Sequence, residues 1–437
     1  MADAVAPNRG RRLFLGAAVA ATVGAVAWKR PAEHGSGGHD AYFSQLQAAL
    51  RRAGLNRPTL VIDRARLEHN IGRLKTHLPK TMHYRVVAKS LPSLELMRTV
   101  RTATGTDRLM VFDQPFLNFV AAQMPDAKVL LGKPMPAGAA KRFFDRLEPQ
   151  GAEVAKSTEW LVDTRERLAQ YAELARAHVA AGGAPLRVNL ELDVGLHRGG
   201  IRSTDALGTI LTALVAEPAL AFAGFMGYEA HASKIPGFLG GPTGALAKAM
   251  AFYAECVTTA KNILGERFQP EALTLNAGGS STYELYDETA PCNELAVGSA
   301  LVMPTDFDKP TLADHQPACF IATPVLKALE RTDLPGLESM TGVFRVWDRN
   351  TAQAFYLYGG YWLASPVSPP GLQRNAIWGH STNQDLLNGS SKVELAVDDF
   401  VFLRPHQSEF VFLQFGDLAV YENGEIAQAW PVFSPGA

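Results

Sequence analysis

A lysine and a glycine-rich turn, each placed directly after a short apolar run, are the features of this sequence with the clearest chemical potential. Lys89 ends the run in "YRVVAKS" (84–90), and Gly278, Gly279 and Ser280 follow "LTL" in "LTLNAGGSST". A lysine amine can form a Schiff base, while bare backbone N–H groups and hydroxyls can bind a phosphate. Taken alone, Lys89 is a surface cation and the turn a tight connection, but together they indicate a pyridoxal phosphate site.

These residues need strands that bring them together, and the sequence predicts such strands. From about residue 59, short apolar runs alternate with longer amphipathic segments, as expected of an α/β chain with a parallel sheet. After a first run at 59–63, eight strands are predicted at 84–90, 108–113, 128–134, 152–157, 186–193, 222–229, 273–279 and 294–303. This pattern predicts a (β/α)8 TIM-type barrel, whose active site lies at the carboxyl ends of its strands.

After about residue 310 the sequence changes to β-runs punctuated by glycine and proline, without a long helix. The Asn423-Gly424 pair predicts a hairpin, so a C-terminal all-β domain is expected to follow the barrel. We predict a signal peptide over 1–30, a linker and lead-in over 31–56, a pyridoxal phosphate-binding barrel over 57–308 and a β-domain over 309–437.

Composition narrows the class of partner. The 437 residues carry 42 Lys and Arg against 43 Asp and Glu, with no long run of either sign, which argues against a nucleic-acid surface and favours a small-molecule partner. The three cysteines, Cys256, Cys292 and Cys319, are far apart, so neither a disulfide framework nor a clustered zinc site is expected.

The N-terminus has the features of a twin-arginine export signal. Arg11-Arg12 precede Leu13 and a run of small apolar residues, and Ala25-Val26-Ala27 fits a cleavage site. We therefore expect a periplasmic or exported protein, associated with a membrane only if the signal is not cleaved. Export of this kind is typical of proteins that fold before crossing, often around a cofactor, which mildly favours a cofactor enzyme.

With these segments in view, the sequence resembles the fold-type III pyridoxal phosphate enzymes, the alanine racemase-like barrels, and within them the D-threonine aldolase and D-serine dehydratase branch. The resemblance spans nearly the whole chain after residue 57. It is carried by "RPTLVID" (57–63), "YRVVAKS", "ELDVGLHRGGI" (191–201), "GYEAH" (227–231), "NAGGSSTY" (276–283), "RPHQSE" (404–409) and "WPVF" (430–433).

The resemblance implies roles around the cofactor ring. Lys89 is similar to the lysine that forms the Schiff base and, once released by substrate, takes the α-proton. Arg198 resembles the arginine beside the ring, and Tyr228 the tyrosine at its pyridine nitrogen. A tyrosine in place of a carboxylate would leave that nitrogen unprotonated, so other groups would have to stabilise the carbanion.

The resemblance also implies a phosphate cradle. Gly278, Gly279 and Ser280 match it, and Ser281 and Thr282 are candidate additions. The family usually forms its active site between the barrel of one subunit and the β-domain of another, which implies a homodimer with a small amino-acid substrate.

The sequence departs from this branch at its metal site. The branch typically holds a divalent metal through a His-x-Cys or His-x-Asp pair, whereas this chain reads His406-Gln407-Ser408-Glu409, and serine is a poor ligand. Strand alternation would point Glu409 away from the face that His406 shares with Ser408. For the second histidine-bearing segment of the branch this chain offers only His380, whose alignment with that segment is uncertain. We therefore expect the metal site to be lost or altered, with His406 only a weak candidate for a ligand.

Several functions therefore stay open. The first is a pyridoxal phosphate-dependent lyase that acts on D-3-hydroxy amino acids. Because loss of the metal favours plain α-proton chemistry, an amino-acid racemase is the alternative, with Tyr358 or Tyr361 as a second acid/base unless both only pack in the β-domain. A non-catalytic pyridoxal phosphate-binding protein is the second alternative.

One further hypothesis sets the resemblance aside. Asp193, His197 and His231 follow the predicted strands and could hold a metal in a barrel hydrolase. For each histidine, a hydrogen-bonded structural role is an equally good interpretation.

Overall fold

The computed structural model describes residues 31–35, 37–333, 336, 342, 346–375 and 379–433. The predicted signal peptide, with Arg11 and Arg12, lies outside these residues. Within the described part of the chain, no helix is long and apolar enough to cross a membrane.

The chain forms two compact units, and their limits differ from the predicted division at 308/309. The first, the barrel unit, comprises Thr59–Ile321, Leu363–Ser365 and Arg404–Ala437; the second, the β unit, comprises Met1–Pro58, Ala322–Trp362 and Pro366–Leu403. The C-terminal segment joins the barrel unit because its first strand pairs in parallel with the strand at Thr59–Asp63.

The barrel unit contains a closed barrel of eight parallel strands, which confirms the predicted fold class. After β1 (Thr59–Asp63), the barrel strands are β2 (His83–Val87), β3 (Arg108–Val111), β4 (Lys128–Leu131), β5 (Glu159–Val162), β6 (Leu186–Leu192), β7 (Leu220–Gly227), β8 (Thr274–Ala277) and β9 (Glu294–Val297). Pairing of β9 with β2 closes the barrel.

The fifth strand was predicted in the wrong place. Residues 152–157 form a helix, Ala152–Ser157, in which Val154 is the one buried residue, and the strand is the following Glu159–Val162. All four residues of that strand are buried, as a strand inside a parallel barrel requires. The next helix begins at Arg165, where the Thr164 side chain accepts the Arg167 N–H.

Helices cover the barrel between its strands. Besides Ala152–Ser157, they are Arg64–His77, Leu94–Thr104, Gln114–Gln123, Ala137–Asp145, Arg165–Ala180, Thr204–Val215 and Gly241–Leu264, and a single turn follows at Glu409–Phe412. Asp63, Asp113 and Ser203 cap three of them by accepting a backbone N–H from the first turn. These caps fix where each strand-to-helix loop ends, and therefore which residues remain at the barrel mouth.

A network of buried ion pairs fills the amino-terminal end of the barrel. The Arg85 guanidinium bonds both oxygens of Glu294 and also donates to the Leu109 and Lys128 carbonyls. Arg108 and Asn276 donate to the same carboxylate. Because Arg85 is 1% exposed and Glu294 fully buried, each charge depends on the other for its compensation.

The β unit contains an amphipathic helix and an antiparallel sheet. The helix, Ala41–Arg52, lies inside the predicted lead-in and buries Leu46, Ala49 and Leu50. The strands of the sheet are β10 (Cys319–Leu329), β11 (Gln353–Leu357), β12 (Ala364–Ser368), β13 (Gln373–Arg374), β14 (Leu386–Gly389) and β15 (Phe400–Pro405). The first residues of β10 and β12 and the last two of β15 belong to the barrel unit. Within the sheet, the order β13-β14-β11-β10 is antiparallel throughout.

The barrel unit ends in the hairpin that the Asn-Gly pair predicts. Strands β16 (Asp417–Glu422) and β17 (Glu425–Pro431) pair in antiparallel register through Asn423 and Gly424, which both have positive φ. Two consecutive residues with positive φ are the signature of a type I′ turn.

Candidate active site

One pocket at the carboxyl ends of the barrel strands contains all six residues that the sequence predicts as cofactor-binding. They are Lys89, Arg198, Tyr228, Gly278, Gly279 and Ser280. The apolar side chains of Met110, Phe112, Met226 and Phe307 also line it. The pocket therefore lies where a barrel enzyme places its active site, and it lies wholly within the barrel unit.

Lys89 is held at the mouth of the barrel by a short helical turn. The turn, Ala88–Ser90, follows β2 directly and ends the strand before the next helix. The Lys89 Nζ lies 4.4 Å from the centroid of the Phe112 ring and 2.8 Å from Glu409 Oε1. The amine is 36% exposed, so it can be reached by a small molecule while held between an aromatic face and a carboxylate.

Arg198 and Tyr228 form a second wall of the pocket. The Arg198 guanidinium lies 5.3 Å from the centroid of the Tyr228 ring. Burial, together with the charge of Glu229, raises the pKa of Tyr228 above its ordinary value, although Arg198 opposes this. A Cβ atom at position 279 would lie 2.5 Å from Cε2 of Tyr228, so the glycine is what allows the turn to lie against the ring.

The glycine turn is anchored from behind by Glu229, a residue whose role the sequence reading missed. Its carboxylate is fully buried and accepts the Gly278 N–H at 3.2 Å and the Thr282 hydroxyl at 2.5 Å. Burial raises the pKa of Glu229. Gly278 has a φ of +76°, which explains its residue type. The sequence signal for Glu229 was its position next to Tyr228 in the segment "GYEAH".

Neither candidate addition to the phosphate cradle reaches the pocket. The Thr282 hydroxyl is bound to Glu229, and the Ser281 carbonyl accepts a hydrogen bond from Thr311. Gly298 and Ser299, which follow β9, line the pocket in their place. Their position directly after the last barrel strand could have identified them as pocket residues from the sequence.

Ser280 ties the glycine turn to the end of β9. Its Oγ accepts the backbone N–H groups of Gly298 at 3.2 Å and Ala300 at 3.0 Å, which leaves the hydroxyl proton free to be donated. Within the described part of the chain, the N–H groups of Gly279 and Ser280 have no hydrogen-bond partner. These N–H groups and the hydroxyl proton fit an anionic group such as a phosphate.

The arrangement fits a cofactor that has an aldehyde at one end and a phosphate at the other. Lys89 offers the amine, the Gly279–Ser280 turn offers phosphate donors, and the Tyr228 ring with Arg198 offers a wall for a ring. Pyridoxal phosphate has this combination of groups.

The three residues proposed for a metal hydrolase do not assemble a metal site. Asp193 accepts hydrogen bonds from the N–H groups of Gly195 and His197, the His197 ring and Arg202, so it organises the loop after β6. The His197 side chain is 75% exposed. Among the described residues, none of the three belongs to a group of three close metal-ligating side chains.

The one such group found in the described residues lies elsewhere. His77, Glu284 and Asp314 bring ligand atoms within 4.8 Å of one another. However, Arg73 already donates to Asp314 and lies 3.0 Å from His77 Nε2. A guanidinium in that position disfavours a cation, so we interpret the cluster as an ion-pair network.

The segment after β15 is not a strand, so the alternation expected of Glu409 does not apply there. The strand ends at Pro405, and Glu409 begins a helical turn that places its carboxylate in the pocket beside Lys89. The Ser408 hydroxyl is buried 3.4 Å from that of Ser299, which donates to Ser90. The turn of the helix therefore overrides the two-residue period of a strand.

The weak metal candidates have other partners. The His406 Nε2 lies 2.7 Å from the Ser365 hydroxyl, and His406 belongs to no group of three metal-ligating side chains within the described residues. His380 lies in the β unit, 3.1 Å from Arg374 Nη1 and 3.7 Å from Asp385.

Glu191, on β6, lies near Arg198, and its carboxyl has a raised pKa. Burial raises the pKa of Glu191 to about 7, and Asp163 adds to the effect, while Arg198 opposes it. Since the folded chain then holds this proton up to a higher pH than the unfolded chain, stability should fall as pH rises from about 4.5 to about 7.

Glu191→Gln should remove that loss and make the protein more stable at pH 8 than the unsubstituted chain, by roughly 1 to 2 kcal/mol. At pH 4 the difference should vanish, because the carboxyl is then protonated in both states. Thermal unfolding midpoints at the two pH values would show this. Glu173→Gln, on an exposed helix face, is the control, and equal midpoint differences at both pH values would contradict the prediction.

Comparison with known proteins agrees with this description. The family described as "Alanine racemase, N-terminal domain" matches residues 62–306, more than half of the chain. A 3-hydroxy-D-aspartate aldolase of Paracoccus denitrificans is 25% identical over 256 residues, which cover 58% of this chain and 62% of that protein. The chain thus matches less than two thirds of that relative's length.

Solved structures share the fold over most of the chain. The D-threonine aldolase of Filomicrobium marinum has a TM-score of 0.66 at 17% identity, covering 87% of this chain and 95% of that one. The D-threo-3-hydroxyaspartate dehydratase of Delftia sp. HT23 has a TM-score of 0.66 at 16% identity, with coverage of 87% and 98%. The alanine racemase of Bacillus anthracis has a TM-score of 0.62 at 14% identity, with coverage of 86% and 98%.

At these identities the structures show the fold alone, and the family match covers the strands that carry Lys89, Arg198, Tyr228 and the glycine turn. The resemblance to alanine racemase-like barrels is therefore confirmed, and the chain belongs to the alanine racemase N-terminal domain family.

Proposed function

We propose that this protein is a pyridoxal phosphate-dependent lyase that acts on D-3-hydroxy amino acids. The observation that carries the proposal is that Lys89, the glycine-serine turn, Arg198 and Tyr228 line the same pocket. The names of the similar proteins, a 3-hydroxy-D-aspartate aldolase and a D-threonine aldolase, favour a lyase over a racemase.

Each group of the cofactor has a place among these residues. Lys89 would hold it covalently, the N–H groups of Gly279 and Ser280 with the Ser280 hydroxyl would bind its phosphate, and Tyr228 and Arg198 would flank its ring. When bound, pyridoxal phosphate supplies an electron sink for negative charge that develops at the substrate Cα.

The protein's own groups orient the substrate and move protons. The Lys89 amine would carry a proton to or from the substrate Cα. The apolar side chains of Met110, Phe112, Met226 and Phe307 line the pocket and would limit the access of water once a substrate fills it. Exclusion of water strengthens the effect of the charges on Lys89 and Arg198.

A product assay separates the proposed activity from its alternatives. The purified protein, reconstituted with pyridoxal phosphate, is incubated with D-threonine, D-serine and D-alanine, and carbonyl products and enantiomer ratios are measured. Carbonyl formation from a 3-hydroxy substrate supports the lyase. Inversion of D-alanine without carbonyl formation would instead establish the racemase, for which exposed Tyr358 and Tyr361 of the β unit remain the candidate acid/base residues. No turnover would establish a pyridoxal phosphate-binding protein without catalysis.

We further propose that the protein is exported through the twin-arginine pathway and works as a homodimer. Arg11-Arg12 before an apolar run support export, and the family resemblance supports the dimer. N-terminal sequencing of the periplasmic fraction, with the molar mass from light scattering, tests both. A cytoplasmic protein of unprocessed length, or a mass equal to one chain, would contradict the respective proposal.

A further inference from the structure

Glu409 is the acidic side chain nearest to the reactive amine of the pocket. Its Oε1 lies 2.8 Å from Lys89 Nζ, and the two side chains are equally exposed, at 36%. Glu409 is also close enough to Tyr228 for its charge to raise the pKa of that phenol, after the larger effects of burial and Glu229. Its carboxylate thus lies at the end of the pocket where the amine reacts.

The position of Glu409 is fixed by the segment that carries it. The His406 N–H donates to the Leu363 carbonyl, and the His406 carbonyl accepts the Asp306 N–H. The buried hydroxyls of Ser408, Ser299 and Ser90 then connect the segment to the turn that holds Lys89. Hydrogen bonds within the barrel unit therefore connect the segment that carries the Glu409 carboxylate to the turn that carries the Lys89 amine.

The charged residues that line the pocket indicate which side chain could act as a base. Lys89 and Arg198 are the cationic residues that line it, and Glu409 is its one lining carboxylate within the described residues. Cleavage of a 3-hydroxy amino acid requires a base that removes the proton of the β-hydroxyl. Ser408, the residue before Glu409, is neutral and cannot supply a negative charge, whereas Glu409 can.

We propose that Glu409 is the catalytic base at the substrate's β-hydroxyl. The Glu409 carboxylate lies 2.8 Å from Lys89 Nζ, the amine that would hold the cofactor. A substrate amine exchanged for Lys89 would bring its β-hydroxyl, which is only a few bonds away, near this carboxylate. This inference rests on the proposed lyase function and adds the residue that starts the cleavage.

The step balances within the substrate and these two side chains. Glu409 takes the β-hydroxyl proton, the O–H electron pair forms the carbonyl of the aldehyde, and the Cα–Cβ bond breaks with its electrons on Cα. Lys89 then donates a proton to Cα, which yields glycine. The step needs no oxidant or reductant. Because the Glu409 carboxylate itself takes the hydroxyl proton, cleavage should persist when free metal is removed.

The test compares two reactions of the same holoenzyme. Cleavage of D-threonine needs a base at the β-hydroxyl, whereas exchange of a glycine α-proton with deuterated water needs Lys89 and the cofactor but has no hydroxyl. Glu409→Gln should lower the kcat of cleavage by about 100-fold or more and change glycine exchange by less than about threefold. Glu425→Gln, an exposed carboxylate of the C-terminal hairpin, is the matched control and should leave both rates unchanged.

A second readout uses the protein without cofactor. Because Glu409→Gln removes the anion beside Lys89, an amine reagent should label Lys89 severalfold faster at neutral pH in the variant, as measured by peptide mass spectrometry. Equal labelling in the two proteins would contradict the ion pair on which the inference depends.

Three outcomes would overturn the inference alone: cleavage at the unsubstituted rate in Glu409→Gln, equal loss of cleavage and glycine exchange, or loss of cleavage on treatment with a chelator that added metal restores. If the unsubstituted holoenzyme neither cleaves a D-3-hydroxy amino acid nor exchanges glycine protons, the proposed function itself fails, and the inference with it.

Discussion

Lys89→Ala should abolish covalent attachment of pyridoxal phosphate and lower turnover of D-3-hydroxy amino acids by at least about a thousandfold. The lysine is both the attachment point and the proton carrier at Cα, so its loss removes two functions at once. Borohydride treatment followed by peptide mass spectrometry should find the reduced cofactor on the peptide that contains Lys89 in the unsubstituted protein and on no peptide of the variant.

A second lysine gives the matched control. Lys133 also follows a barrel strand, β4, but its side chain is exposed and does not line the pocket. Lys133→Ala should keep the covalent cofactor and its activity within about twofold, since exposed substitutions away from a site have small effects. Labelling that survives in Lys89→Ala, or disappears in Lys133→Ala, would show that Lys89 is not the attachment point.

Arg85→Met should destabilise the protein by roughly 3 kcal/mol, which corresponds to a fall in the thermal midpoint of roughly 5 to 10 °C. The substitution leaves the fully buried Glu294 carboxylate with one cation, Arg108, in place of two, and a buried charge that loses one of its partners is costly. Arg85 lies on β2, the strand that leads to Lys89, but at the opposite end of the barrel.

Two further variants separate the charge effect from a packing effect. Arg98→Met removes an exposed arginine that pairs with Glu95 and should change the midpoint by less than about 2 °C. The double variant Arg85→Met, Glu294→Leu should regain at least about half of the loss, because both charges are then gone. A double variant less stable than Arg85→Met would contradict the ion-pair explanation.

Much of the fold could be predicted because the barrel strands are short, apolar and separated by amphipathic helices. The misplaced fifth strand shows where this fails. "AEVAKS" and "EWLV" are adjacent, and no glycine or proline separates the true strand from its neighbours. The signal that could have placed it was Thr164, whose side chain caps the helix after the strand.

The site was predictable where a motif followed a strand, as with Lys89 and the glycine turn. Glu409 was not, because its orientation depends on where β15 ends. We continued the strand alternation through "RPHQSE", although Pro405 cannot continue a hydrogen-bonded strand and was the signal for its end. Glu229 was missed for another reason: its role is to hold the Gly278 turn from behind, which becomes visible only when β7 and β8 lie side by side.

The most direct test of the proposed function is the enantiomer dependence of carbonyl formation by the reconstituted protein. D-threonine and L-threonine are incubated separately, and aldehyde release is measured over time. Aldehyde should form from the D-isomer at a rate at least about 100-fold above that from the L-isomer, because a pocket that holds the substrate Cα between fixed groups distinguishes its two faces. Equal rates for the two isomers, or release from the L-isomer alone, would contradict a D-specific lyase.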